Sequence, residues 1–179
     1  KGGEIAADHL LDLGRRNLVY LGQSEQTPSD RLILEGIRTA AGPYCGAASV
    51  RECWGNLTLD SVATNIDRLV ESTPPDGLIC FSDNAAHWVV HHLLQRRFAV
   101  PETVAVVGYD NSAFAPLGRI PLTSVFQPNY DIGFQAAEIL IDKIENRSRY
   151  QHRRNVVFSP SIIVRDSSGG SSEDTIDGP

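Results

Sequence analysis

The chain has 179 residues, 41% of them hydrophobic, and a net charge of −6, the proportions of one soluble globular domain and too short for a multidomain enzyme. The acidic balance argues against nucleic-acid binding by this piece alone, because phosphate contacts need a basic face. Cys45, Cys53 and Cys80 are odd in number and lack C-x-x-C spacing, so they suggest neither a disulfide framework nor a zinc site and fit a reducing compartment. No apolar run approaches the roughly 18 residues of a membrane span. With no methionine and helical sequence directly after Lys1, the chain reads as part of a longer one.

Helix and strand periodicities alternate from the first residues. Ile5, Ala6, His9, Leu10 and Leu13 recur at helical spacing and stop at Gly14. Asn17 to Leu21 is a short apolar run ending at Gly22, a buried strand. A helix is predicted over 32–41, a strand over 49–53, and a helix over 59–70 that Pro74-Pro75 closes. The strand 77–81 runs straight into Ser82-Asp83, a helix covers 85–97, and the strand 103–107 runs into Gly108-Tyr-Asp110-Asn111. An extended stretch over 121–128 leads to a helix over 131–145 with Ile132, Ala136, Ile139, Leu140 and Ile144 on one face. Strands are predicted at 156–158 and 162–164. The Ser-, Gly- and Asp-rich end cannot bury enough surface to be ordered, so 168–179 is expected to be a flexible tail.

Strands alternating with helices of this length build right-handed β-α-β units, so the expected fold is α/β, a doubly wound parallel sheet. Such sheets bind ligands beyond the carboxyl ends of their strands, which makes Asp83 and Asp110 site candidates. Asp110 could equally cap the turn that follows its strand. Trp54 could present an apolar platform beside those carboxylates, suited to a sugar ring or a nucleobase, or could simply cover a sheet edge. No hydrolytic, phosphate-loop, zinc-protease or dinucleotide motif occurs, and no enzyme activity is expected. His87 and His91 stand at i, i+4 without a third ligand beside them, so no metal is expected. The acceptor patterns Asn56-Leu-Thr58 and Asn146-Arg-Ser148 are expected to be idle without secretion.

Several stretches together resemble the effector-binding region of the lactose/galactose repressor family: Gly3-x4-Asp8-His-Leu-Leu-x2-Gly14, Arg31-x4-Gly36, Phe81-Ser-Asp83, Val100-Pro-Glu-x-Val-Ala-Val-Val-Gly108-Tyr-Asp110-Asn111, Pro121-Leu-Thr-Ser-Val-x-Gln127-Pro, Gly133-x2-Ala136-Ala-x2-Leu140 and Ile163-Val-Arg165-Asp-Ser167. They cover residues 2 to 167 in order. The resemblance implies a two-lobed, periplasmic-binding-protein-like fold, with 1–126 forming the second lobe. Residues 128–157 would return to a first lobe largely missing from this sequence, and 158–167 would cross back. It also implies a cytoplasmic bacterial transcription regulator that binds operator DNA as a homodimer through an upstream headpiece and senses a small metabolite, a sugar or sugar derivative, without a cofactor.

By the same resemblance Asp110 accepts hydrogen bonds from the effector, Trp54 stacks on it, Ser82-Asp83 replaces the common Asn-Asp, and Gln127 faces the cleft. The usual ligand-binding arginine position, three before the helix glycine, is Ile33; Arg31 stands five before and would point differently. A periplasmic sugar-binding protein for solute uptake is the alternative. A receiver-like phosphoacceptor lacks the acidic pair near the first strand that would hold Mg²⁺. The dimer is expected to form through 85–97 and 109–120, where Trp88, Phe114 and Leu117 exceed what one sheet face needs. Deprived of its partner sheet, helix 131–145 is expected to dock elsewhere or lose its order.

Overall fold

A computed structural model describes residues 1–56, 58–145 and 155–169. Five helices and six strands follow in chain order: α1 (Gly2–Asp12), β1 (Asn17–Gln23), α2 (Pro28–Ala41), β2 (Ser49–Gly55), α3 (Leu59–Ser72), β3 (Gly77–Cys80), α4 (Asp83–Gln95), β4 (Ala105–Tyr109), β5 (Thr123–Phe126), α5 (Asn129–Glu145) and β6 (Ser161–Ile163). The strands form one sheet in the order β2-β1-β3-β4-β5-β6. The first five are parallel. This is the expected α/β, doubly wound parallel sheet, to which β6 adds one edge strand antiparallel to β5; the chain re-enters the sheet after α5 from the end at which it left.

Both faces are covered. One apolar layer joins Ala6, Leu10, Ile33 and Ile37 of α1 and α2 to Tyr20, Ile79 and Val107. The other joins Val62 and Ile66 of α3 and Val89 and Leu93 of α4 to Val19, Leu78 and Val106. Alternate residues of each buried strand thus feed opposite layers, as strand geometry requires. α1 and α2 cross at backbone distance: a Cβ on Gly3 would lie 2.0 Å from the Ile33 carbonyl oxygen, and one on Gly36 2.8 Å from the Glu4 nitrogen. Those two glycines of the motif are packing requirements.

Helix starts come out earlier than apolar periodicity predicts. α2 begins at Pro28, where the Thr27 hydroxyl accepts from Asp30 N–H and the Asp30 carboxylate accepts from Thr27 N–H, a capping box. Asp30 is fully buried and also accepts from the Tyr20 hydroxyl at 2.8 Å, tying the helix start to β1. α4 begins at Asp83, with Ser82 as its N-cap.

Two expectations near the C-terminus are corrected. Residues 156–158 are not a strand; β-branched residues invite that reading, but among the described residues no strand pairs with them. Residue 168 does not begin a loose tail, because Ser168 is buried. Its hydroxyl meets Thr123 Oγ1 at 2.6 Å and His9 Nε2 at 2.8 Å, while Ser167 donates to the Val106 carbonyl. Residues 170–179, Leu57 and the 146–148 acceptor pattern lie outside the described residues.

α5 neither docks on the lobe nor loses its helical form: it is a helix with no buried residue. Ile132, Phe134, Leu140, Ile141 and Ile144 are all exposed. Its near neighbour is the strip Val156 to Phe158, across a groove that includes Ile132, Ala136 and Ile139.

His9 gives the fold a pH dependence. Burial beside Ser168 depresses its pKa below the usual 6.5, with the Asp12 carboxylate partly opposing. The unfolded chain therefore takes up a proton first as pH falls. The contribution is complete above about pH 6.5 and is lost through the window between that value and the lower folded pKa. In urea denaturation at pH 7.5 and 5.0, the wild type is expected to lose more stability than His9→Gln over that interval; equal losses would refute the assignment.

Candidate functional site

The carboxyl ends of β3 and β4 and the first turns of α2 frame a pocket of about 230 Å³, lined by Ser29, Leu32, Ile33, Phe81, Tyr109, Asp110 and Gln127. Ile33 and Phe81 supply apolar walls, and Asp110 and Gln127 supply the polar groups. The strand order reverses at β1, with β2 on one side and β3 on the other, and ligands of open α/β sheets bind near such a reversal.

Asp110 follows β4 with φ of 93°. Its Oδ1 accepts from Gln127 Nε2 at 2.6 Å, a bond that spans the departure of the chain from β5 toward α5. Burial raises the Asp110 pKa above the usual carboxylate value; the Gln127 hydrogen bond pulls it partly back, and the Asp83 charge adds to the rise. Gln127 occupies one carboxylate oxygen, leaving the other open to a donor brought by a ligand.

Trp54, Ser82, Asp83 and Asp110 all lie at the carboxyl end of the sheet, yet they do not face one space. Ser82 accepts from Ala85 N–H as a helix cap. Asp83 is 2% exposed, and its two oxygens accept from the Ser124 hydroxyl and the Ser112 N–H, each at 2.6 Å. The Trp54 indole stands edge-on to Tyr20 with centroids 5.7 Å apart and donates Nε1–H to Glu52 at 2.9 Å. Arg31 joins it in a second, open groove with Gln26, Glu35, Arg38 and Glu52. The structure therefore brings Asp110 and Gln127 together, sets Trp54 and Arg31 on the other flank of α2, and places Ser82 and Asp83 behind the pocket.

Ser29, Leu32, Phe81 and Tyr109 were not singled out from sequence. Phe81 and Tyr109 immediately precede the noted Ser82-Asp83 and Asp110, so their position at the strand ends was available. Ser29 could be found only from the capping box that starts α2 four residues ahead of the apolar pattern. His87 Nε2 lies 2.9 Å from the Phe114 carbonyl oxygen and His91 Nε2 3.0 Å from Gln95 Nε2. Among the described residues no group of three or more metal-ligating side chains occurs, and no helix is long and apolar enough to cross a membrane.

An open, mostly parallel sheet with a part-apolar, part-carboxylate pocket beyond its strand ends is the arrangement in which α/β lobes bind small molecules. The chain belongs to the periplasmic binding protein-like domain family, whose model matches residues 7–168. It is 29% identical over 171 residues to the HTH-type transcriptional repressor PurR of Vibrio cholerae, covering 93% of this chain and 49% of that protein. It is 27% identical to an arabinose metabolism transcriptional repressor of Geobacillus stearothermophilus, covering 93% and 47%. A solved complex of the transcriptional regulator CelR with cellobiose superposes with a TM-score of 0.80 at 28% identity, covering 93% of this chain and 51% of that one. These relatives bear out the resemblance to the lactose/galactose repressor family. The chain spans about half the length of the curated relatives it matches.

Proposed function

We propose that this chain is the effector-binding and dimerisation lobe of a cytoplasmic bacterial transcription regulator that senses a sugar or sugar derivative, with Asp110 as the principal hydrogen-bond acceptor. The observation that carries the reading is the Asp110 carboxylate at the strand ends, one oxygen bonded to Gln127 and the other open beside apolar walls. A sugar ring offers the matching chemistry, hydroxyl donors on its edges and C–H faces for Ile33 and Phe81. The relatives point the same way, one named for arabinose metabolism and one solved with cellobiose.

In this reading residues 128–157 belong to a first lobe, 158–167 cross back, and the effector closes the cleft between lobes. Closure changes the spacing of DNA-binding headpieces, so effector and operator affinities are linked reciprocally. The homodimer forms through α4 and the 109–120 segment. There α4 spends Val89 and Leu93 on its own core, whereas Phe114 and Leu117 are 64% and 74% exposed. Trp54 and Arg31, in the neighbouring groove, contact the effector only if it extends past α2. The site requires no cofactor chemistry, and the activity is binding, not catalysis.

Calorimetry on the longer protein with a panel of neutral sugars beginning with arabinose and cellobiose tests the reading. Asp110→Ala is expected to weaken the tightest sugar by about tenfold or more, the scale of a lost hydrogen bond to a charged group. Unchanged affinity would remove Asp110 from the site, and no binding by any sugar would overturn the sugar-sensing reading.

A further inference from the structure

The turn that aims Asp110 is an uncommon piece of backbone. Asp110 and Asn111 have φ of 93° and 45°, two successive non-glycine residues with positive φ, a conformation that persists only where the surroundings impose it. The Asp110 N–H donates to the Val125 carbonyl at 2.9 Å, and beyond that bond to β5 the restraint comes from two remote parts of the chain. From below, Asp83 accepts from Ser112 N–H, and the Ser124 hydroxyl that donates to Asp83 also accepts from Asn111 N–H at 2.9 Å. From the side, Arg165 Nη2 donates to Asn111 Oδ1 at 2.8 Å while Nη1 donates to the Leu122 carbonyl at 2.6 Å.

Resting on the reading of Asp110 as an effector-facing group, we infer that Arg165 is a positioning residue of the effector site: its guanidinium fork holds the Asp110–Asn111 turn so that the Asp110 carboxylate faces the pocket. Arg165 does not itself line the pocket. Its two bonds diverge to a side-chain amide and to the carbonyl of the residue just before β5, a task for a planar fork that a single ammonium cannot reproduce. The Arg165 backbone is fixed in turn, its N–H donating to Thr123 Oγ1 and its carbonyl accepting from the same hydroxyl. Arg165 follows β6, on the chain that returns after α5. The aim of the carboxylate is thereby coupled to the segment that leaves and re-enters this lobe.

The test needs no ligand and uses the 179-residue chain. Amide hydrogen exchange reads the turn, and the titration of the Asp110 side-chain carboxyl, followed by carbon-13 NMR, reads its setting. In Arg165→Gln the Asn111 and Ser112 amides are expected to exchange about tenfold faster, the effect of one lost charge-assisted bond, while β1 and β3 amides keep their protection. The Asp110 midpoint should fall toward the ordinary carboxylate range as the group turns to water. Loss of a positive charge alone would move it up, so the direction separates positioning from electrostatics.

Arg15→Gln is the control. Arg15 donates to the Pro101 and Glu102 carbonyls at the opposite end of the sheet, and its loss is expected to leave both readings at the turn unchanged. Should Arg165→Gln fail to fold, Arg165→Lys, which keeps the charge, carries the same expected changes. Unaltered exchange and midpoint in a folded Arg165 variant, or equal changes in Arg15→Gln, would overturn the assignment. Failure of the sugar-sensing reading would show separately, in the calorimetry.

Discussion

Asp83→Ala is expected to cost about 3 kcal/mol or more of folding stability, because it removes a buried charged acceptor and strands the donors that depended on it. The carboxylate is 2% exposed and accepts from the Ser112 N–H and the Ser124 hydroxyl. Neither donor can turn to water without dismantling the turn. β4 is shaped around the same group, since a Cβ on Gly108 would stand 2.3 Å from Asp83 Oδ1. Asp83→Asn keeps the size but presents N–H where an acceptor is needed, and it should lose less, on the order of 1–2 kcal/mol. Urea denaturation of the three proteins measures both numbers. A loss below about 1 kcal/mol for the alanine variant, the worth of an ordinary exposed polar contact, would mean that the turn is held without Asp83.

Asp83 also shows how far the sequence carries the site. Its place after a strand identified it, but the same place serves a ligand contact or an interior clamp, and only its burial beneath the 110–112 turn decides between them. Trp54 presents the same ambiguity in another form. Neighbouring residues of β2 point to opposite sheet faces, and the order β2-β1-β3-β4 leaves Trp54 two strands from β3. No local pattern encodes that distance. The alternation of strands and helices was legible because each buried strand reads as a continuous apolar run and each covering helix keeps its 3.6 period. The start of α2 was not, because Pro28, Ser29 and Asp30 break the apolar pattern in the turn that the Thr27–Asp30 capping box begins. Arg165 lay beyond sequence reasoning except as part of a motif, since its partners Asn111 and Leu122 are more than 40 positions away.

The 179-residue chain is expected to bind the sugar at least about 100-fold more weakly than the longer protein that the proposed function places it in, a difference of about 2.7 kcal/mol. The pocket beside Asp110 is one wall; ligand sites of this kind bury most of the ligand surface between two. The exposed face of α5 gives the expectation its structural ground. Ile132, Leu140, Ile141 and Ile144 are 42–59% exposed, and covering a side chain of that kind is worth about 1.5–3 kcal/mol when complete. Several of them on one helix make an apolar surface comparable in worth with a domain's whole stability margin. In the proposed two-lobed protein a sheet built from upstream sequence covers that face and brings the opposing wall of the cleft with it. Calorimetry on both proteins with the same neutral-sugar panel makes the comparison. Equal affinities would show that the single lobe holds the entire site, and the assignment of residues 128–157 to the first lobe would lose its functional consequence. A large gap, with the α5 amides protected from exchange only in the longer protein, would tie the missing affinity to the missing wall.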